Sequence, residues 1–494
     1  MHRSHHPGAT DAVVVGTGPN GLAAAVTLAR AGLRVELFEA RDTIGGGLRT
    51  EALFDSDVHH DLCAAVHPLA PVSPFFRAFD LAARGVELLS PPVSYGHPLP
   101  DGRVGLAHRD LDATCASLGR DGPHWRRLMR PLLDHSDAVV RLIMHGGRAL
   151  PRDLATPLLL ARGALAHGTP LATHQFAEEP ARALLAGVAA HAVGPLPSLP
   201  GAAVALLLGH LAHGPGWPVP RGGSAAIAQA LAAEITARGG RSHTGCRVDD
   251  LRELPPARVV LLDLGPKEFL RIGGARLPPR YARALGRYRY APAAAKVDFL
   301  VSEPIPWPDQ ELRSAATVHL GGTQREVHRQ ESATARGDVG GAPFVLVVDP
   351  AVADPGRARP GRRPVWAYAH VPNGDGTDPV ERVTARIEEF APGFRDTVLA
   401  ARGISARAYE AYNPNYVGGD IGAGAMTLRQ SLLRPTPRLD PYPTPLPGVY
   451  LCSAATPPGP GVHGMSGHLA ALSALRREFG LRTVPELGPV PPLG

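Results

Sequence analysis

A strand–turn–helix–strand pattern at residues 11–39 constrains the fold of this chain more than any other feature. Ala12 to Val15 form an apolar, β-branched run that is typical of a buried parallel strand. A glycine-rich turn follows at once, then an alanine-rich helix, and then a second apolar strand from Leu33 to Phe38. Because the turn has the spacing Gly-x-Gly-x-x-Gly, this βαβ unit predicts an α/β fold with a Rossmann-like domain that binds a dinucleotide.

Each glycine of the turn meets a separate requirement of dinucleotide binding. Gly16 allows the tight turn, Gly18 lets the backbone approach a pyrophosphate, and Gly21 lets the helix pack closely on the strand. The second strand ends in Glu39, whose carboxylate would accept hydrogen bonds from ribose hydroxyls and repel the extra phosphate of NADP. This favours FAD or NAD. The predicted contacts of the unit are Gly16, Gly18, Pro19, Asn20, Gly21 and Glu39.

A second glycine turn distinguishes between FAD and NAD as the cofactor. Ala40 and Arg41 follow the acid, and Gly46, Gly47 and Arg49 form a turn that can pass close to the cofactor, with the guanidinium reaching its pyrophosphate. With these residues the chain resembles the FAD-dependent oxidoreductases with a glutathione-reductase-type flavin domain. More narrowly, it resembles the phytoene desaturase and phytoene-dehydrogenase-like branch of the amine-oxidase-like superfamily. That branch has Glu-x-Arg, then Gly-Gly, then an arginine, whose place Gly47 takes here.

The segment 447–475 resembles the closing segment of the same family, with a short strand, a loop of small residues and a helix. A flavin needs a backbone loop at its ribityl chain and a helix N-terminus at the polar edge of its ring. The resemblance places one group beside the pyrophosphate and ribityl chain, namely Ser453, Ala454, Ala455 and Thr456. It places a second group beside the isoalloxazine, namely Val462, His463, Gly464 and Met465. Ser453 stands where many related flavoproteins have an acidic residue.

A third family-like segment spans residues 217–248. It has a Gly-Gly turn before Ser224, a long alanine-rich helix, and a predicted strand that ends at Val248. The resemblance places Val248 near the adenine. It also implies that FAD is the cofactor and that it is held non-covalently, because no cysteine or histidine lies in a recognised flavinylation motif.

The predicted architecture has two domains. The FAD-binding domain is discontinuous and is assembled from residues 8–95, 205–272 and 417–482. An α+β substrate domain, with an antiparallel sheet and a helical cap, takes residues 96–204 and 273–416. Its strands are expected in the apolar runs that begin near 296, 344 and 365. Residues 1–7 and 483–494 are predicted to be poorly ordered tails.

Composition argues against several classes of protein. The net charge is only +6, spread along the chain, and 5% of the residues are aromatic, so nucleic-acid binding is not expected. The four cysteines form no Cys-x-x-Cys, which argues against a zinc site and a redox dithiol. The first residues lack an apolar signal core, and the apolar stretch from Gly201 to Gly209 is too short to span a bilayer. We therefore expect a cytoplasmic protein.

A segment around 131–168 is helical in character and combines apolar residues with arginines. It predicts one of two arrangements. The first is a basic amphipathic helix that lies on an anionic membrane surface and admits an apolar substrate. The second is a helix packed on the substrate domain with its arginines in solvent. The arginines concerned are Arg130, Arg141, Arg148, Arg152 and Arg162.

Several polar positions outside the motifs are candidates for chemistry. The spacing of residues 59–61 (His-His-Asp) and His67 is irregular, which favours a loop that lines the flavin or substrate pocket over a metal site. His67 would then touch substrate. Lys296 either contacts a pocket water or the flavin edge, or lies on the surface of a strand. Asp420 is either an acid that faces the substrate or a turn residue.

The resemblance implies an FAD-dependent dehydrogenase or desaturase. It would take a hydride and a proton from an apolar substrate of the isoprenoid or carotenoid type. Its candidate catalytic residues are His463 and His67. Since no second dinucleotide fingerprint occurs, oxygen or a quinone would reoxidise the flavin. Two alternatives stay open, an amine or other C–N oxidase on the same fold and a flavin-retaining binding protein without turnover. The sequence predicts no metal and leaves the oligomeric state open.

Overall fold

The computed structural model describes residues 10–145 and 154–489. The predicted tail 1–7 and two of the arginines of the 131–168 segment, Arg148 and Arg152, lie outside these ranges. Of the predicted tail 483–494, residues 483–489 are described, and here the prediction is wrong. Leu487 is buried, and its carbonyl accepts a hydrogen bond from Arg84 at 3.0 Å, which ties this segment to the body of the protein.

Sixteen strands occur in the described ranges: β1 Ala12–Val15, β2 Val35–Phe38, β3 Thr50–Asp55, β4 Val58–Asp61, β5 Leu88–Leu89, β6 Val93–Pro98, β7 Val104–His108, β8 Val219–Pro220, β9 Arg241–His243, β10 Val259–Leu262, β11 Ala293–Val301, β12 Thr317–Leu320, β13 Val345–Val348, β14 Arg363–Val371, β15 Val398–Ile404 and β16 Val449–Leu451. The α-helices of the same ranges are α1 Pro19–Arg30, α2 Pro74–Phe79, α3 Leu111–Ser117, α4 Gly122–Asp134, α5 Ser136–Met144, α6 Ala155–His167, α7 Glu179–Ala189, α8 Leu199–Ala212, α9 Ala225–Ala237, α10 Pro266–Gly273, α11 Pro279–Gly286, α12 Gln324–Ala335, α13 Val380–Phe390, α14 Phe394–Thr397, α15 Ala406–Tyr412, α16 Leu428–Leu433 and α17 Met465–Ala474.

A five-stranded parallel sheet with the order β16-β10-β1-β2-β9 confirms the predicted Rossmann-like unit. Its central strand β1 is fully buried, as the apolar run predicts. In the register of the sheet, Val15 lies opposite Phe38 on one side and Leu262 on the other, and Leu262 lies opposite Leu451. The residues that follow these four strands therefore meet at one edge of the sheet, beside the N-terminus of α1.

Helices α1, α9 and α17 cover this sheet. α1 and α17 approach closely because Gly467 has no side chain, and a Cβ there would collide with the carbonyl of Asn20. β9 ends at His243 rather than at the predicted Val248. The chain turns at Gly245, which has φ +66° and whose N–H bonds the carbonyl of Arg41 at 2.8 Å. Val248 accordingly lies in a loop.

A second, seven-stranded sheet has the order β15-β11-β14-β13-β12-β6-β7. The three strands predicted near residues 296, 344 and 365 are its members β11, β13 and β14, and they pair antiparallel. The sheet is mixed rather than wholly antiparallel, because β12 and β6 run parallel. β6 belongs to this sheet although Val93 to Tyr95 fall within the first predicted piece of the FAD domain. The domain boundaries themselves stay a prediction.

The stretch between the first two predicted pieces of the FAD domain is mainly helical, as predicted, and contains α3 to α7 and the start of α8. The segment 131–168 within it is not one helix. α4 ends at Asp134, α5 at Met144, and α6 begins at Ala155. Arg130 pairs with Asp134 in the last turn of α4, with 3.0 Å between Nε and Oδ1. Of the helices in the described ranges, none combines the length and the apolar character that crossing a membrane requires.

Candidate active site

A cavity of about 520 Å³ extends from the carboxyl edge of the five-stranded sheet to the inner face of the seven-stranded sheet. Most of the residues predicted to bind a cofactor line it, namely Gly16, Gly18, Pro19, Asn20, Glu39, Ala40, Arg41, Gly46, Gly47, Arg49, Val248, Ser453, Val462 and His463. The other predicted residues, Gly21, Ala455, Thr456 and Met465, lie behind this wall. Residues far apart in sequence are therefore brought together as a single site.

The two glycine turns form a cradle of bare backbone. Gly16 has φ +91°, a conformation that favours glycine. A Cβ at Gly46 would lie 2.8 Å from the Cα of Gly18, so the second turn packs directly on the first. At the N-terminus of α1, buried Asn20 has an Oδ1 atom without a hydrogen-bond partner among the described residues. The bare backbone and this polar atom suit a dinucleotide phosphate group.

Glu39 is held firmly at the predicted adenosine end. Its carboxylate accepts hydrogen bonds from the N–H groups of Thr17 at 3.1 Å and Arg41 at 3.0 Å, and it forms an ion pair with Arg49 at 3.1 Å. The Arg49 guanidinium also donates to the carbonyl of Thr43 at 2.7 Å. Arg49 therefore lies beside Glu39, the acid predicted to bind the adenosine ribose. Its predicted contact with the pyrophosphate stays a prediction.

Asp263 is a cavity residue that sequence analysis missed. It follows β10 directly, and its Oδ2 atom accepts a hydrogen bond from the Gly21 N–H at 2.9 Å. Burial, followed by the nearby charge of Glu39, raises the pKa of this carboxyl to about 7. The available signal was an acid at the end of an apolar strand, but nothing local showed that this strand lies beside β1.

The closing loop is fixed by its own small side chains. Ser453 Oγ donates to the carbonyl of Leu264 at 2.8 Å and accepts from the Ala455 N–H at 3.2 Å, which ties the end of β16 to the segment after β10. Thr456 Oγ donates to the Ser453 carbonyl at 2.7 Å. Gly464, with φ +67°, then turns the chain into α17. Ser453 thus stabilises the closing loop, and its predicted contact with the cofactor stays a prediction.

His463 lines the cavity, but the surrounding backbone engages both of its ring nitrogens. Nδ1 accepts the Met465 N–H at 3.0 Å, so the neutral ring carries its proton on Nε2, which donates to the Gly459 carbonyl at 3.2 Å. Burial lowers the pKa of His463 to about 4. The geometry gives this imidazole a role in shaping the loop, and its predicted part in catalysis stays a prediction.

His67 is placed differently. Ser224 Oγ donates to the Ala64 carbonyl at 2.6 Å and therefore accepts from His67 Nε2 at 2.8 Å. The proton of the neutral ring is then on Nε2, and the lone pair of Nδ1 has no partner among the described residues. Burial lowers the pKa of His67 to about 4, so the ring is neutral at pH 7. Of the two predicted histidines, His67 has the free proton acceptor.

Lys296 is buried, with 1% of its surface exposed, and lines the cavity, so the hypothesis of a surface lysine is wrong. Its ammonium donates to the Asp61 carbonyl at 2.9 Å and pairs with Asp298. Asp61 in turn pairs with Arg357 at 3.0 Å. This buried network lowers the pKa of the adjoining His60 to about 3, chiefly through burial and then through the Lys296 charge.

Asp420 lines the cavity and also holds a turn. Its carboxylate accepts hydrogen bonds from three N–H groups, those of Ala291 at 2.8 Å, Gly422 at 2.9 Å and Gly424 at 2.8 Å. Burial raises its pKa to about 6. These contacts support the turn hypothesis.

The end of the cavity away from the glycine turns is mainly apolar, with Lys296 and Thr317 as polar members of its sheet wall. Val204, Leu207 and Leu208 of α8 form one wall. Leu346 and Val348 of β13 face them from the seven-stranded sheet, together with the aromatic pair Trp366 and Tyr368 of β14. The two rings meet edge to face, with centroids 5.2 Å apart. This chamber adjoins the dinucleotide edge, so a bound apolar molecule would lie close to a cofactor there.

Comparison with known proteins agrees with this geometry. The model of the flavin-containing amine oxidoreductase family matches residues 20–471. A rat protein, pyridine nucleotide-disulfide oxidoreductase domain-containing protein 2, is 26% identical over 93% of this chain and 92% of its own. The hydroxyneurosporene desaturase of Cereibacter sphaeroides is 28% identical over 94% of this chain and 97% of its own. The solved structure of a putrescine oxidase variant has a TM-score of 0.60 at 17% identity, covering 95% of this chain and 99% of that chain, which shows a shared fold. The chain therefore belongs to the flavin-containing amine oxidoreductase family.

Proposed function

We propose that this protein is an FAD-dependent dehydrogenase or desaturase that takes a hydride and a proton from an apolar substrate of isoprenoid or carotenoid type. The observation that carries the proposal is the apolar chamber between α8 and β13, which opens onto the dinucleotide edge. Such a chamber favours hydrocarbon, at about 25 cal/mol for each Å² of apolar surface buried. The similarity to hydroxyneurosporene desaturase supports the same substrate class.

The residues at the edge of the parallel sheet would hold FAD without a covalent bond. Gly16 and Gly18 offer bare backbone to the pyrophosphate, and Glu39 stands at the adenosine end. Cys63 lines the cavity, but burial raises the pKa of its thiol, which keeps the sulfur protonated and unreactive. Bound FAD supplies the hydride acceptor. Oxygen or a quinone would reoxidise it, since the sequence has no second dinucleotide fingerprint.

His67 is the side chain best placed to take a proton. The Ser224 hydroxyl fixes the ring so that Nδ1 keeps its lone pair. Positioned general bases typically accelerate a reaction about a hundred- to ten-thousand-fold. Lys296 is already engaged, because its ammonium donates to the Asp61 carbonyl and pairs with the Asp298 carboxylate.

Two measurements test the cofactor and the reaction. Denatured protein should release a yellow compound that chromatographs as FAD, and release of FMN, or of NAD alone, would refute the assignment. The holoprotein is then mixed anaerobically with C20 and C40 isoprenoids and, in parallel, with primary amines. Bleaching of the flavin spectrum by isoprenoids supports the proposal. Bleaching by amines alone would replace it with amine oxidation, and slow bleaching by every compound would indicate a flavin-retaining binding protein.

Amine oxidation is the second candidate, and one observation favours it. Trp366 and Tyr368 are two aromatic rings in the cavity wall. An amine oxidase on this fold would be expected to have an aromatic cage around the flavin. However, the Lys296 ammonium already lies 5.5 Å from the centroid of the Trp366 ring. The Trp366 ring therefore already has a cation beside it and is not a free aromatic face for a cationic amine, which makes the apolar substrate the better proposal.

We also propose a cytoplasmic protein that contacts a membrane surface through α6. Leu158 and Leu165 of this helix are 70% and 56% exposed, and Leu154 just before it is 82% exposed. α6 packs on α8, whose other side lines the apolar chamber. An apolar surface behind the chamber wall suits entry of a substrate from lipid.

A further inference from the structure

Asp263 occupies a position where its charge acts on the cofactor site. Because Leu262 pairs with Val15 on one side and with Leu451 on the other, Asp263 lies between Gly16 and Cys452 at the edge of the sheet. Its Oδ2 atom accepts the Gly21 N–H at 2.9 Å, and the Gly18 N–H is a second donor. A Cβ on Gly18 would lie 2.5 Å from the same oxygen, so the carboxyl group touches the phosphate-binding turn itself.

The neighbours of Asp263 do not balance its charge. On the β2 side stands Glu39, another acid, which acts to raise the pKa of Asp263 and which pairs with the Arg49 guanidinium at 3.1 Å. On the β16 side stands Cys452, a buried thiol whose pKa is raised well above its ordinary value, so it stays neutral. From the segment after α15, Asn415 donates to the backbone carbonyl of Asp263 at 3.3 Å. The N-terminus of α1 contributes only N–H groups and its dipole.

A dinucleotide pyrophosphate uses the same helix N-terminus and brings further negative charge. An ionised Asp263 and a bound pyrophosphate would therefore repel each other at close range, away from bulk water. The protonated carboxyl avoids this repulsion and needs no counter-ion.

We propose that Asp263 links FAD binding to proton uptake, so that the carboxyl group is protonated in the FAD complex and the affinity for FAD falls as the pH rises above neutrality. The inference rests on the proposed function only in taking FAD as the dinucleotide. The sign follows from the order of the two pKa values. The pKa of Asp263 is about 7 without the ligand, and adjacent phosphates and loss of solvent both raise it further.

The magnitude also follows. At pH values below the pKa of Asp263 in the apoprotein, this carboxyl group is protonated both with and without FAD. The dissociation constant of FAD therefore does not depend on pH in that range. Above that pKa, each unit of pH raises the dissociation constant about tenfold until the pKa of the complex is reached. Between pH 6 and pH 8 the expected rise is therefore about tenfold. The ring of His67, whose pKa burial lowers to about 4, does not titrate in this interval.

The experiment titrates the apoprotein with FAD by calorimetry at pH 6, 7 and 8, in pairs of phosphate-free buffers (MES and Bis-Tris at pH 6, MOPS and imidazole at pH 7, HEPES and Tris at pH 8). The two buffers of each pair differ in their heat of ionisation, so the difference in heat counts the protons taken up. Wild-type protein should take up close to one proton at pH 8, with a dissociation constant about tenfold higher than at pH 6. Asp263→Asn should bind FAD with equal affinity at both pH values and without proton uptake. Asp349→Asn, which removes a buried carboxyl group that has a raised pKa but does not line the cavity, should behave as wild type.

Each outcome is decisive. Absence of FAD binding at every pH would refute the proposed function itself, whereas binding that is independent of pH in the wild type would overturn only the role of Asp263. Proton uptake that persists in Asp263→Asn, or disappears equally in Asp349→Asn, would assign it to another group. Circular dichroism and the melting temperature of each apoprotein confirm that the variants are folded. The proton uptake of the wild-type protein, measured in two buffers at each pH, tests the proposal even if a variant fails to fold.

Discussion

The imidazole of His67 has one nitrogen bonded to Ser224 and one without a partner among the described residues, whereas the backbone holds both nitrogens of His463. We predict that His67→Ala keeps FAD bound and slows anaerobic flavin reduction by substrate by about a hundred- to ten-thousand-fold. His463→Ala serves as the comparison. It should lower the melting temperature, because its two hydrogen bonds position the closing loop, and change the reduction rate less than His67→Ala does. Stopped-flow absorbance measures both rates, and a larger loss of rate in His463→Ala at full FAD occupancy would reverse the assignment.

Gly18 tests the phosphate cradle. In Gly18→Val the new Cβ would lie 2.5 Å from Asp263 Oδ2, and the rest of the side chain would occupy the space of the pyrophosphate. The variant should therefore lose FAD, as measured by the ratio of absorbance at 450 and 280 nm after gel filtration. The control is Gly286→Ala in α11, where a Cβ meets nothing within 4 Å and FAD content should be unchanged. A yellow Gly18→Val protein would contradict this placement of the cofactor.

Individual residues differ in how far sequence could place them. The roles of Gly16 and Gly21 follow from local spacing, because the turn and its helix are contiguous. Asp263 could not be placed this way, because its chemistry arises from β10 lying beside β1, a pairing between distant segments. The free nitrogen of His67 likewise depends on Ser224, which the fold brings from another part of the chain.

At the scale of elements, α6 presents leucines outward while it packs on α8. We predict that the protein floats with anionic liposomes at low salt and that the double change Leu158→Ser and Leu165→Ser abolishes flotation, since it removes the apolar surface that enters the lipid. The control is Val339→Ser, another exposed apolar residue, located between α12 and β13. Wild-type protein that stays at the bottom of the gradient would end the membrane proposal.

The elements that sequence located best are those with strong local signals, namely β1, α1, β2 and the strand and helix that flank the closing loop. β12 and β15 were missed because their pairing partners are distant in sequence. The β6–β7 hairpin was missed as well, although its pairing is local. The segment 131–168 was wrongly predicted as one helix, since its apolar residues continue across the ends of three separate helices.

At the scale of the whole molecule, buried histidines set the response to acid. Burial holds the pKa values of a group of them at about 3 to 4, against an ordinary value of 6.5, namely His60, His67, His97, His191, His210, His213, His463 and His468. Below pH 6.5 these histidines bind protons in the unfolded chain but not in the folded protein. The free energy of unfolding is therefore highest above pH 6.5 and decreases as the pH falls toward 4. At pH 5.5 each such histidine costs about 1.4 kcal/mol.

We therefore predict a lower melting temperature at pH 5.5 than at pH 7.5. Four buried carboxyl groups with raised pKa values act in the opposite direction, but they do not outweigh the eight histidines; they are Asp263, Asp298, Asp349 and Asp420. Scanning calorimetry checks the sign, and His97→Gln should reduce the pH dependence while keeping a donor for the Gly322 carbonyl. A melting temperature that is equal or higher at pH 5.5 would contradict the prediction.

The position of β16 in the parallel sheet governs the order in which the protein can mature in the cell. β10 is flanked by β1 on one side and by β16 on the other, and the loop that follows β16 closes the cavity. While the ribosome is still translating the codons before Val449, the nascent polypeptide already exposes the glycine turn at Gly16 but lacks the wall opposite it. We therefore expect flavin loading to follow translation rather than accompany it, and the unpaired edge of β10 to be prone to aggregation until β16 has docked.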